Sequence, residues 1–108
     1  MSGYNTLSAA AHCPFCGTSQ EWRIQFKYGD CWQNEYHLGE TLKWGGNDYG
    51  KDVKGYIRTG GTSEGACLNC GHEDVEAAIY FQDNRIVRLE LLREGLNLGS
   101  DTFYETVT

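Results

Sequence analysis

A mainly β domain, built from antiparallel hairpins around two pairs of cysteines, is what this chain of 108 residues predicts. Three observations carry it. Residues 21–28, EWRIQFKY, alternate apolar and polar without a break. Residues 74–92 read as two apolar runs folded about Asp83-Asn84, and the spacing Cys-x2-Cys occurs twice, at 13–16 and 67–70, each time followed by glycine. No segment offers an amphipathic helix of three turns.

In the first run Trp22, Ile24, Phe26 and Tyr28 share one face and Glu21, Arg23, Gln25 and Lys27 the other, which is a half-buried strand closed by a turn at Gly29-Asp30. Residues 35–44 read as two short extended pieces around Gly39, with Leu38, Leu42 and Trp44 facing inward. Residues 44–51, WGGNDYGK, are loop by composition. Residues 53–59 form another strand, and GGTSEG, 60–65, is a flexible turn leading into the second cysteine pair. In the hairpin, a two-residue turn pairs Phe81 with Ile86, whereas a three-residue loop, 83–85, pairs Phe81 with Val87, Ile79 with Leu89 and Ala77 with Leu91. The odd loop is preferred because it leaves one face wholly apolar. Residues 89–96 read as strand ending in a turn at Gly95, and the tail adds an edge strand through Phe103 and Val107.

Length and the absence of any linker or repeat, the cysteine pairs aside, imply a single domain over residues 1–108, small enough that its core needs a staple. The N-terminal residues show no charged leader followed by an apolar stretch, and nothing reaches membrane-spanning length, so a cytoplasmic setting with reduced thiols is expected. The formal charge is −6, and residues 73–108 hold eight acids against Arg85, Arg88 and Arg93. An acidic surface of this kind repels phosphate backbones and favours a basic protein as partner.

Two thiolate pairs, each able to turn sharply at the glycine that follows, make a tetrahedral four-sulfur site of Cys13, Cys16, Cys67 and Cys70. Thiol redox catalysis fits less well, because Cys13-Pro14-Phe15-Cys16 precedes a strand and not a helix, and a second pair has no role in it. The forms CPFCG, 13–17, and CLNCG, 67–71, resemble the rubredoxin-like knuckles of zinc-ribbon proteins. The resemblance implies a zinc-ribbon-like fold, with β-hairpins beside each knuckle and residues 18–66 as an elaborated insertion. It also implies a structural Zn2+, with iron as the alternative occupant of the same cage. Four protein ligands leave no open coordination position, so hydrolysis is not expected. His12 and His72 flank the knuckles as nearby side chains and not as ligands, and Cys31 reads as a small apolar residue.

No nucleophile motif or phosphate loop accompanies the acids, so no enzyme is expected. The aromatics divide between core and interface. Trp32, Tyr36, Trp44, Tyr49 and Tyr80, with the acids Glu73, Asp74 and Glu76, are the candidate partner surface. Function then reads as a zinc-stabilised, acidic protein-binding module; small acidic inhibitors of basic toxins, the immunity and antitoxin proteins, share its size and charge. The alternative is a nucleic-acid-binding ribbon using Arg23, Lys27, Lys43, Lys51, Lys54 and Arg58, although five acids in the same stretch nearly cancel them. A rubredoxin-like electron carrier follows only if the metal is iron.

Overall fold

The computed structural model describes residues 4–30, 34–45, 48–49, 55–93 and 105–106, and among these it holds nine strands and no helix. They are β1 (Asn5–His12), β2 (Ser19–Phe26), β3 (Gly29–Asp30), β4 (Glu35–His37), β5 (Asp48–Tyr49), β6 (Tyr56–Ser63), β7 (Glu76–Gln82), β8 (Arg85–Leu92) and β9 (Glu105–Thr106). One mixed sheet runs β4-β1-β2-β6-β7-β8, with β9 on the outer half of β6; β3 and β5 pair separately. All its pairings are antiparallel except β1 with β4.

The ends of this sheet meet. Beyond β4 the chain turns at Gly39 and runs against the start of β8: Gly39 N–H donates to Ile86 O (2.7 Å), Ile86 N–H to Glu40 O (2.9 Å) and Leu42 N–H to Asn84 O (2.7 Å). The ladder thereby closes into a small barrel whose interior is filled by side chains. Into it point Leu7, Trp22, Ile24, Phe26, Tyr28, Tyr36, Leu42, Ile57, Ile79, Phe81 and Ile86, all buried. The aromatic members meet at tilted and edge angles, Tyr28 against Phe81 at 5.2 Å and against Trp44 at 5.3 Å, Phe26 against Tyr36 at 6.1 Å. Each such pair contributes about 0.5–1.5 kcal/mol beyond its buried area. Buried Asn5 ties strand to loop, its Nδ2 donating to Tyr28 O (3.1 Å) and its Oδ1 accepting from Asn34 N–H (3.2 Å).

The alternation read at residues 21–28 is present, with Trp22, Ile24, Phe26 and Tyr28 all buried. Four other readings change. Gly29-Asp30 does more than close a strand, since as β3 it pairs with β5, and residues 44–51 are accordingly not all loop, because Asp48–Tyr49 is that second strand. Leu38 does not face inward; it is 46 % exposed, because β4 ends at His37 and the chain turns at Leu38-Gly39 (φ +92° at Gly39), so the alternation that buries Tyr36 does not carry on to it. Residues 60–63 are not a flexible turn but the end of β6, held between Ala77 and Ala78 of β7 and Phe26 to Ile24 of β2. Two ladders supply the order that glycine composition alone would deny.

The hairpin of β7 and β8 combines both registers. Asp83 (φ 50°) and Asn84 (φ 68°) form a two-residue turn with positive φ at both central positions, which matches strand twist, so Phe81 faces Ile86 and not Val87. A β-bulge then shifts the pairing by one, and Ile79 faces Leu89 and Ala77 faces Leu91. Val87 is the extra residue, turned outward and 43 % exposed. The apolar face survives because the bulge ejects one side chain. Of the expected tail strand, Glu105–Thr106 pairs with β6 at Arg58 and Ile57, while Phe103 and Val107 lie outside the described residues.

Candidate metal centre

Both cysteine pairs occupy hairpin tips. Cys13 to Gly17 joins β1 to β2, Cys67 to Gly71 joins the end of β6 to β7, and adjacency of β2 and β6 brings the two tips together. The tips have the same backbone bonds. Gly17 N–H donates to Cys13 O (2.8 Å) and Cys13 N–H to Thr18 O (3.0 Å); Gly71 N–H donates to Cys67 O (2.9 Å) and Cys67 N–H to His72 O (3.0 Å). Gly17 and Gly71 have φ of +79° and +76°, in the left-handed region that side chains disfavour, and nothing lies within 4 Å of where a Cβ would stand. Glycine is therefore required by backbone conformation and not by space.

The four Sγ atoms lie within 4.8 Å of one another. Across the knuckles, Cys13 Sγ is 3.8 Å from Cys70 Sγ and Cys16 Sγ 3.6 Å from Cys67 Sγ. A tetrahedron of sulfurs bonded to a central ion at about 2.3 Å has edges of about 3.8 Å, so these separations fit a metal ion such as zinc or iron. Cys13 and Cys67 are buried, Cys16 and Cys70 exposed. Without a cation the crowded thiols cannot all ionise. Cys16 is drawn down to about 5, first by the Thr18 hydroxyl and then by the Asn69 amide bonded to its sulfur. Cys67 is lowered chiefly by the Cys70 N–H, which points at its Sγ from 3.5 Å. Cys70 retains its proton: the His72 N–H lowers it, but burial and the sulfurs of Cys67, Cys13 and Cys16 together outweigh this and push it up to about 11. Filling the site with a dication removes that repulsion and displaces the remaining protons.

His12 and His72 are exposed and outside the sulfur cluster. His72 instead stacks on Phe15 (3.6 Å between centroids, 21° between planes), linking one knuckle to the other, and the Arg93 guanidinium lies 5.6 Å from the same Phe15 ring. Sequence reasoning gives Phe15 no role, although its place inside one knuckle and that of His72 just after the other are the available signal.

The expected partner surface is only partly assembled. Tyr36 is 1 % exposed and belongs to the core, its Oη accepting Lys43 N–H at 3.0 Å, so it cannot contact a partner. Trp44 is half-buried, edge-on against Tyr28. Tyr80 is 7 % exposed on the outer sheet face, stacked on Tyr56 (5.7 Å), covered by Arg88 (5.1 Å) and donating to Glu90 Oε1 (3.1 Å). Trp32, Cys31 and the side chain of Tyr49 lie outside the described residues. The acids fare differently. Glu73 and Asp74 are exposed and line a hollow of about 230 Å3 with Glu64 beside the second knuckle, and Glu76 is half-buried at the start of β7. Burial pushes the Glu64 carboxyl up, but Arg23, Gln25 and Thr6 bonded to it hold it below the ordinary carboxylate range. Arg23 is shared with Glu35 (2.7 Å) and Glu64 (3.1 Å). Nothing in the sequence singles out Glu64 and Leu68, because only the packed tip places them with Glu73 and Asp74.

Compared with known proteins, the chain matches no family model, no curated protein and no solved structure. Its own geometry shows a mainly β fold whose two hairpin tips bring four cysteines together in a cluster suited to a metal ion.

Proposed function

We propose that this chain is a non-catalytic, zinc-stabilised β module that binds a basic protein through the acidic surface beside its second knuckle. Zinc is favoured over iron because a closed thiolate tetrahedron satisfies it without any redox role. A cage completed by four protein ligands has no position for substrate or attacking water, which supports a structural metal.

The observation that carries the binding role is the acidic hollow. Glu64, Glu73 and Asp74 converge there, and among the described residues Glu73 and Asp74 have no ion pair. A zinc tetrathiolate beside them carries about −2 more. Unneutralised charge at one place steers a cationic partner to it and raises the association rate. A small acidic inhibitor of a basic toxin or enzyme in the cytoplasm is the sharpest form of this reading. Nucleic acid is a poorer ligand, since Arg23, the first residue of the expected basic stripe, is neutralised by Glu35 and Glu64.

The test is capture of partners from the native cell by the zinc-loaded chain and by a Glu73→Lys, Asp74→Lys, Glu76→Lys variant. A basic protein retained by the first and released by the second is expected. Equal capture by both defeats the acidic-surface reading. Metal analysis accompanies it: one equivalent of zinc in a colourless protein is expected, and a coloured iron form overturns the choice of metal.

A further inference from the structure

The tip of the second knuckle carries an anomaly that the metal does not account for. Leu68, the residue after Cys67, is 88 % exposed, the most exposed of the large apolar side chains described. Its backbone is fixed, with its N–H donating to Gln20 Oε1 at 3.0 Å, so it is held out on an ordered turn. It borders an open groove of about 350 Å3 between residues 20–23 of β2 and residues 64–68, whose apolar lining is Trp22, Ala66 and Leu68 itself. The groove and the acidic hollow share Glu64, Gly65 and Ala66, so the two form one continuous surface.

The groove also has a strand edge. β2 pairs with β1 along its whole length, but with β6 only from Ile24 to Phe26. Arg23 turns its carbonyl away from β1, where Glu64 N–H reaches it at 2.9 Å. By strand alternation Glu21 presents its N–H and C=O on that same side, beyond the end of the β6 ladder, and among the described residues nothing bonds to them there. Glu21, between the Glu64–Arg23 and Leu68–Gln20 bonds, thus offers one pair of backbone bonds to an extended segment.

We propose that this face docks an extended basic segment of the partner, bonded to the β2 edge at Glu21 with one apolar side chain against Leu68 and cationic ones toward Glu73 and Asp74. Charge complementarity selects the occupant: of the carboxylates around the surface Glu64 is paired with Arg23, the one guanidinium there, which leaves Glu21, Glu73 and Asp74 without a cation among the described residues. The apolar anchor supplies the affinity that exposed charges alone do not. The inference rests on the protein-binding reading above and adds to it the place, the backbone form and the anchor.

Two fluorescein-labelled peptides of alternating Thr and Lys test it, one with a central Leu and one with Ser there, each titrated by anisotropy against the zinc-loaded full chain at low salt. The Leu peptide is expected to bind about tenfold or more tightly than the Ser peptide, as burial of one leucine implies. Leu68→Ser, with zinc content and circular dichroism unchanged, abolishes that difference, while Glu73→Lys with Asp74→Lys weakens both peptides. If both peptides bind alike, or Leu68→Ser leaves the preference intact, the docking site is refuted although the acidic-surface reading stands. If neither peptide binds, that reading falls too.

Discussion

Replacing Gly17 by alanine isolates what the knuckle demands of its backbone. At φ +79°, with nothing within 4 Å of the added methyl, the substitution meets no steric obstacle and costs only the left-handed conformation. That penalty is about 1–2 kcal/mol for an L-residue. Knuckle formation is coupled to metal binding, so the penalty appears in the metal affinity, as a zinc dissociation constant raised about 5- to 30-fold. Gly71→Ala, at φ +76° and in equally open space, predicts the same loss. Competition against a chromogenic zinc chelator at neutral pH measures both. Asparagine, which tolerates this region, recovers part of the loss at either position, and D-alanine introduced by chemical synthesis recovers nearly all. Alanine variants that bind zinc like the parent, or asparagine no better than alanine, refute the argument, because then neither φ nor the bond from the glycine N–H sets the sulfur positions.

Three further outcomes are expected. Cys13→Ser or Cys70→Ser removes one sulfur of the cage and with it a contribution to folding on the order of 10 kcal/mol, leaving insoluble or unfolded chain; an unchanged melting temperature contradicts this. Tyr36→Phe keeps the barrel filled but leaves Lys43 N–H without its Oη acceptor and costs about 1–3 kcal/mol, and Tyr36→Ala costs about 3–5 kcal/mol; chemical denaturation distinguishes them, and two harmless substitutions would return Tyr36 to the surface. In the metal-free protein Cys16 is lowered from 9.0 to about 5, so its stabilising share is complete above 9 and is lost as pH falls through 5, whereas Cys70, raised to about 11, still holds its proton at neutral pH. Zinc uptake near pH 7 therefore releases at least one proton and strengthens as pH rises; titration calorimetry in buffers of different ionisation enthalpy shows it, and buffer-independent heats refute it.

What the sequence discloses depends on whether an element announces itself locally. Residues 22–28 do so by alternation and the knuckles by spacing, so one core strand and all four sulfurs are legible in the order of residues alone. β1 is not: NTLSAAAH has no β-branched or aromatic run, and it becomes a strand because β2 and β4 bond to it on either side. Gly60 and Gly61 mislead for the converse reason, since two neighbouring ladders override their freedom. Tyr36 looks available to a partner until the parallel pairing of β4 with β1, which joins segments nearly thirty residues apart, turns it inward. At the tip, Leu68 is an inconspicuous residue between two cysteines, and only the folded turn shows that its side chain has nowhere to hide.

The position of the two knuckles also bears on how the chain reaches this form. Fifty residues separate Cys16 from Cys67, and β2 leaves one knuckle while β6 arrives at the other. A bound ion is thus a cross-link that closes this long loop at its base, and on the scale used for disulfides such closure is worth about 4 kcal/mol of unfolded-state entropy. It also makes a distant pairing local, because once the sulfurs share an ion, Ile24 is eight residues and Ser63 four residues from the junction. Early capture of the metal should therefore shorten the search for the β2–β6 register and speed folding of a topology rich in long-range contacts.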